Sequence, residues 1–223
     1  MSGERSVFDV VGPIMIGPSS SHTAGAVRLG GLARAILGEQ PTKAEISLHG
    51  SFETTGRGHG TDLALVAGLL GFTPDDGRIP RSFELAHEAG MEFSFVGADL
   101  GEVHPNTALF SLIAADGRAV SVRGSSVGGA AVVVDRLDSY DVEITGDYPM
   151  LLVGHIDRPG QISRISGLLA EADVNIAAMR VARTHKGAEA IMLIETDSEV
   201  DNTTIGRILK QPGTLDVRRV ARV

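Results

Sequence analysis

The chain has 223 residues, 43% of them hydrophobic and 22% charged, with a net charge of −8 and no cysteine. That length suits one large domain or two modest ones, and the acidic balance argues against a nucleic-acid partner held by phosphate neutralisation. Without cysteine the chain can build no disulfide, no thiolate zinc site and no iron–sulfur site of its own.

No apolar run is long enough to span a bilayer, and the opening stretch MSGERSVFDV lacks the apolar core of a secretory signal. The expectation is a cytoplasmic protein with no membrane partner. Charge is uneven along the chain: residues 1–147 carry 10 Lys+Arg against 19 Asp+Glu, and residues 148–223 carry 10 against 9. The step from −9 to +1 predicts two modules, placed at 1–146 and 148–223.

In chain order, SVFDVVGPIMI is a short apolar lead-in. The polar cluster Ser19, Ser20, Ser21, His22 and Thr23 then runs into a helical pattern of Leu29, Leu32, Ala33, Ile36 and Leu37, with Gly38 as its C-cap. KAEISLH alternates as a strand. GSFETTGRGHGTD reads as a second polar, glycine-rich loop, feeding a helix with Leu63, Val66, Ala67 and Leu70 on its apolar face. RSFELAHEAG reads as a short helix ended by Gly90, and MEFSFVG as a strand. TALFSLIAADGRAVSVRG reads as a hairpin turning at Asp116-Gly117. GSSVGGA reads as a third Ser/Gly-rich turn, with a cradle of N–H groups for an anion as the sharper alternative. AVVVDRLDSYDVEI reads as one closing strand.

From Met150 the order is strand, helix, strand, strand, helix, strand, with Ile162, Ile165, Leu168 and Leu169 as the first helix's apolar face. That is the ferredoxin-like plan. The fold class is therefore α+β in two domains, a mixed α/β first half and a βαββαβ second half.

Two polar loops at two helix starts suggest chemistry. Hydroxyls beside unpaired N–H groups at a helix N-terminus make a receptacle for a carboxylate or phosphate. His22 in that positive field is expected to stay neutral and able to accept a proton. His59, Thr61 and Asp62 repeat the pattern. Taken singly, each loop reads as ordinary capping, because Ser, Thr and Asp are common N-caps. Together they predict a shared site for a small anion. A Ser21–His22 hydrolase is the weaker reading, since sequence neighbours usually point apart and no Gly-x-Ser-x-Gly elbow is present. His104 and Asn106 in HPNT are candidate supporting residues, and a plain loop role for His104 is an equal alternative. The spacing of His22, His59 and His104 demands no metal, and none is assigned to this chain.

HIDRPGQI at 155–162 and ADVNIAAM at 172–179 resemble the ACT family of amino-acid-sensing modules. The resemblance implies a serine-type effector near this loop, often between two paired ACT domains, with His155, Asp157, Gly160 and Asn175 as its contacts. The plainer alternative is that Asp157 caps a helix and Asn175 starts a strand.

GPSSSHTAG, HGSFETTGRGHGTD, HPNTALF and GSSVGGA, ahead of an ACT module, resemble the β chain of iron–sulfur-dependent L-serine dehydratase. The first half also resembles the allosteric-substrate-binding domain of some D-3-phosphoglycerate dehydrogenases, which gives a purely regulatory alternative. The dehydratase resemblance implies conversion of L-serine to pyruvate and ammonia, with a [4Fe–4S] cluster carried by a cysteine-containing α chain. It also implies that this chain is inactive alone. His22 and His59 then become the catalytic candidates, and Ser19, Ser20, Ser21, Thr23, Thr61, Asp62, His104 and Asn106 the substrate-binding ones.

Overall fold

The structure is a computed structural model and describes residues 14–223, so most of the apolar lead-in lies outside the described residues. The chain divides into two compact units, one running through Asp138 and including Glu143–Thr145, the other comprising Ser139–Val142 and Gly146–Val223. Among the described residues no helix is long and apolar enough to cross a membrane.

The first unit begins with a wide helical turn, Ser20–Ala24, continuous with helix α1, Gly25–Leu37. Leu29, Leu32, Ala33, Ile36 and Leu37 are fully buried, as their spacing predicts. Gly38 ends the helix at φ +95, its N–H bonded to the Arg34 carbonyl at 2.9 Å. Strand β1, Lys43–Gly50, follows.

The second polar segment is not an open loop. It forms two short helical turns, α2 (Ser51–Thr54) and α3 (Gly56–His59), before α4 (Thr61–Leu69). The hydroxyls of Thr54 and Thr55 donate to the carbonyls four residues back, at 3.0 and 2.8 Å, and close turns that glycine content alone argues against. Helix α5 (Ser82–Glu88) and strand β2 (Glu92–Gly97) complete the crossover.

Strands β3 (Asn106–Ile113) and β4 (Ala119–Gly128) form the expected hairpin, with Gly117 at φ +83. The Ser/Gly segment 124–130 is strand as far as Gly128, and the expected turn is confined to its end, where Gly128, Gly129 and Ala130 have φ of +103, +60 and +64. Ser126 is fully buried, and a Cβ on Gly124 would come within 2.7 Å of Leu29 Cδ1, so glycine is needed there for α1 to lie against the sheet. The stretch read as one closing strand is two, β5 (Ala131–Leu137) and β6 (Tyr140–Ile144). The break falls at Asp138, at φ +52, a conformation aspartate tolerates better than most residues. The sheet order is β2-β1-β3-β4-β5-β6; β1 and β2 are parallel, and β1–β3, β3–β4 and β4–β5 are antiparallel.

Helices α1 and α4 pack at backbone distance. A Cβ on Gly68 would overlap the Val27 carbonyl oxygen, and one on Gly30 would overlap the Leu65 carbonyl oxygen. This close crossing fixes the two helix starts, and so the two polar segments, side by side.

The second unit runs β7 (Met150–Ile156), α6 (Gln161–Glu171), β8 (Ile176–Arg183), β9 (Glu189–Thr196), α7 (Asn202–Leu209) and β10 (Thr214–Val220). Its antiparallel sheet has the order β10-β7-β9-β8, the ferredoxin-like arrangement expected. Its core holds Leu151, Val153, Met192 and Ile194 against Ile165, Leu168, Leu169 and Ile208. Ile162 is 51% exposed and does not join that face; Gln161 is buried in its place.

The Gly68→Ala variant is expected to lose about 1–3 kcal/mol through overpacking. Urea unfolding followed by circular dichroism measures this, and an unchanged midpoint would show that the helix crossing relaxes freely.

Candidate active site

The two histidines expected to meet do meet. The His22 and His59 rings lie with centroids 4.9 Å apart and planes inclined at 39°. Both residues are half-buried. Each is held from the opposite segment. Thr23, next to His22, donates its hydroxyl to the His59 carbonyl at 3.1 Å, and Thr61, two residues beyond His59, donates to the His22 carbonyl at 2.9 Å. Thr23 and Thr61 are buried, so their assignment as substrate contacts gives way to a clasp between the segments.

Ser19 acts as the N-cap of the first turn. Its hydroxyl accepts the His22 N–H at 3.1 Å, and its carbonyl accepts the Thr23 N–H at 2.9 Å. Ser21 departs from the expectation that neighbours diverge, because its hydroxyl lies 3.2 Å from His22 Nδ1. The other ring nitrogen, Nε2, lies 2.9 Å from Ser51 Oγ and 3.2 Å from Thr55 Oγ1. No carboxylate orients this imidazole in the contacts formed among the described residues, so the triad of a hydrolase is not assembled here.

Ser51 and Thr55 are the residues that sequence reasoning missed. They stand four apart on one face, 3.1 Å between their hydroxyls. That spacing was the available signal, and only the fold reveals that His22 lies across from it.

His59 Nδ1 lies 3.0 Å from the Thr55 carbonyl oxygen. A carbonyl only accepts, so the hydrogen belongs on Nδ1 and the lone pair on Nε2. His22 is held below the ordinary 6.5, chiefly by burial and next by repulsion from His59, against an opposing hydrogen bond involving Ser51. The direction agrees with the neutral imidazole expected, and burial is its leading cause.

The remaining candidates divide. Pro105 of the HPNT segment accepts the Ser51 N–H at 2.8 Å, so this segment buttresses α2. His104 Nδ1 accepts the Asn106 N–H at 3.1 Å, and Asn106 Nδ2 donates to the Ser126 carbonyl at 3.4 Å. A shallow cavity of about 210 Å³ opens beside His59, lined also by Thr23, Gly58 and Pro18. Asp62 is not among its lining residues; it borders a separate cavity with Arg57.

In the second unit, His155 is buried, with Nδ1 3.0 Å from the Ile156 carbonyl and Nε2 without a partner. Asp157 does not cap α6. Its carboxylate accepts from the Gly187 N–H at 3.1 Å and from Arg183 at 2.6 Å, and these, the N–H foremost, hold it below the usual carboxylate range. Gly160, at φ +90, turns the chain into α6. Gln161 Oε1 and Thr214 Oγ1 are also buried without partners, and Thr214 is opposite His155 in the sheet. Asn175 lies elsewhere, bonded to Asp197 at 2.7 Å. Its neighbour Ile176 pairs with Thr196 whereas His155 pairs with Ala190, so six residues of β9, roughly 20 Å of strand, separate them. Within one chain the four predicted effector contacts do not converge.

Residues 6–136 match the serine dehydratase beta chain family, and residues 150–213 match the ACT domain. The chain belongs to the serine dehydratase beta chain family. It is 39% identical to the probable L-serine dehydratase, beta chain, of Bacillus subtilis over 97% of this chain and 98% of that one. It is also 39% identical to the L-serine dehydratase, beta chain, of Peptoniphilus asaccharolyticus, over 92% and 93% of the two chains. A D-3-phosphoglycerate dehydrogenase of Methanocaldococcus jannaschii is 32% identical over 46% of this chain and 19% of its own length. Among solved structures, the ACT domain of a Chlorobium tepidum GTP pyrophosphokinase aligns with 33% of this chain and 97% of its own, at 21% identity and a TM-score of 0.27.

A histidine with a lowered folded value contributes stability that is fully present above 6.5 and lost as pH falls through the lowered value. In an NMR titration His22 Cε1–H is expected to titrate below 6.5, and His59→Gln to move it part-way back. A wild-type midpoint at or above 6.5 would show that the ring is not desolvated.

Proposed function

We propose that this chain is the β subunit of an L-serine dehydratase, which converts L-serine to pyruvate and ammonia with a cysteine-bearing α chain. The observation that carries the reading is the clasped His22–His59 pair, set in a chain alike over nearly its full length to two L-serine dehydratase beta chains. The resemblance implies a [4Fe–4S] cluster. With no cysteine in the chain, and no group of three or more potential metal ligands among the described residues, this chain's donors do not fit that group. We assign it to the α chain.

The reaction removes water from serine. The Cα–H bond breaks with its proton passing to a base, and the Cβ–O bond breaks with the oxygen taking up one proton to leave as water, so that no proton is gained or lost overall. The resulting aminoacrylate tautomerises and hydrolyses to pyruvate and ammonia. On this chain the base is His59, whose Nε2 carries the lone pair when Nδ1 donates to the Thr55 carbonyl. His22 has both ring nitrogens engaged by the hydroxyls of Ser21, Ser51 and Thr55; it orders those hydroxyls for the substrate and, held neutral, raises no competing positive charge beside the base. With Ser19, Thr23 and Thr61 committed to the fold, the substrate carboxylate falls to Ser20 and Ser21 at the start of the first turn.

The ACT unit reads as an amino-acid sensor that pairs with a second copy. Two chains would unite Asn175 of one with His155 and Gly160 of the other, and the unpartnered polar atoms of His155, Gln161 and Thr214 supply hydrogen-bonding capacity at that end.

Co-purified without oxygen, the α and β chains are expected to form pyruvate from L-serine, and this chain alone to form none. His22→Ala and His59→Ala should each lower turnover at least about 100-fold with folding intact; Ser51→Ala should lower it less. Variants that keep full turnover but lose their response to serine would instead make this a regulatory subunit.

A further inference from the structure

A second cavity, of about 360 Å³, lies at the carboxyl ends of the parallel strands β1 and β2. The volume falls in the small-molecule range of roughly 300–1,000 Å³. Phe52 and Phe95 give it apolar walls, and Glu53, Arg57 and Asp62 give it charge. Neither His22 nor His59 lines it. Phe52 forms the partition, with its buried ring edge-on to His22 at 5.4 Å between centroids.

The three charged groups share one cavity without pairing. Elsewhere on this unit, guanidinium groups meet carboxylates: Arg78 with Asp76, Arg81 with Glu84, Arg123 with Asp135. Arg57 makes no ion pair with Glu53 or Asp62 among the described residues; Asp62 accepts only the Leu63 N–H, at 2.9 Å. Glu53 is seated against Gly97, where a Cβ would overlap its Oε1. The sequence therefore keeps the end of β2 bare and lets the carboxylate lie along it.

We propose that this cavity binds a free α-amino acid as a zwitterion, its carboxylate on Arg57, its ammonium between Glu53 and Asp62, and its side chain against Phe52 and Phe95. A simple anion would meet two carboxylates, and a simple cation would meet the guanidinium; a ligand with both charges satisfies all three groups. Arg57 and His59 belong to the same four-residue turn, so an occupant that holds Arg57 also steadies His59. The site is independent of the dehydratase reading, since it needs no α chain and no turnover.

The test is an NMR titration of the full chain with L-serine. The backbone signals of Glu53, Gly56, Arg57 and Gly97 are expected to shift and saturate together, on an isotherm separate from that of Gly160 and Gln161 in the ACT unit. Arg57→Met should weaken the first isotherm at least tenfold and leave the second unchanged. Gly97→Ala should weaken it too. It retains all three charges, its backbone is outside the left-handed region, and the added Cβ need displace only the tip of Glu53. Shifts confined to the ACT unit would overturn the proposal, as would wild-type binding by both variants, or acetate or methylammonium alone matching L-serine. An α/β complex without dehydratase activity would sink the catalytic reading and leave these shifts intact.

Discussion

Two hydroxyl-to-carbonyl bonds hold the site together. Thr23 donates to the His59 carbonyl and Thr61 to the His22 carbonyl, so each histidine's backbone is tied by a threonine from the other segment. A net contribution of about 0.5–1.5 kcal/mol for each bond is modest. Their geometric effect is larger, because both threonines are buried and a lost partner would leave a polar group without water. The clasp can close only because α1 and α4 touch backbone to backbone at Gly30 and Gly68. Glycines in the middle of two helices, which weaken each helix taken alone, thus set the distance between the two histidines.

That distance has an electrostatic consequence. Two imidazoles 4.9 Å apart disfavour simultaneous protonation, and burial of His22 disfavours it further. The hydroxyls of Ser21, Ser51 and Thr55 satisfy His22 without introducing charge, whereas a carboxylate in their place would favour the imidazolium. The surroundings therefore select a neutral ring, suited to handling a proton at moderate pH. The bond from His59 Nδ1 to the Thr55 carbonyl orients the second ring through the same short turn. Thr55 consequently touches both histidines, one through its hydroxyl and one through its carbonyl.

The ACT unit follows a different logic. Its fold is complete, with an apolar core between one sheet face and two helices. Its polar end is not complete, since His155 Nε2, Gln161 Oε1 and Thr214 Oγ1 are buried and unpartnered. Asp157, two residues from His155, is already committed to Arg183 and Gly187.

Periodicity made much of this legible. The apolar spacing of α1, the alternation in β1, the Asp116-Gly117 turn and the βαββαβ order all follow from local patterns that each segment carries within itself. The two histidines stood out because each sits at a polar helix start, and the residues around them resemble one family in a fixed order. The sequence could not show that GSFETTG coils into helical turns, since threonine back-bonding to carbonyls competes with glycine's freedom and the outcome depends on what lies alongside. Nor could it show that GSSVGGA is strand up to Gly128 and turn only beyond it, because Gly124 serves close approach to α1 whereas Gly128 and Gly129 serve the turn. Ser51 and Thr55, the separation of Asn175 from His155, and the three unpaired charges around one cavity belong to the same class. Local sequence determined which residues are candidates for chemistry and which elements they start. Their meeting, and the partners that set their protonation, were decided by contacts between segments distant along the chain, which no local pattern encodes.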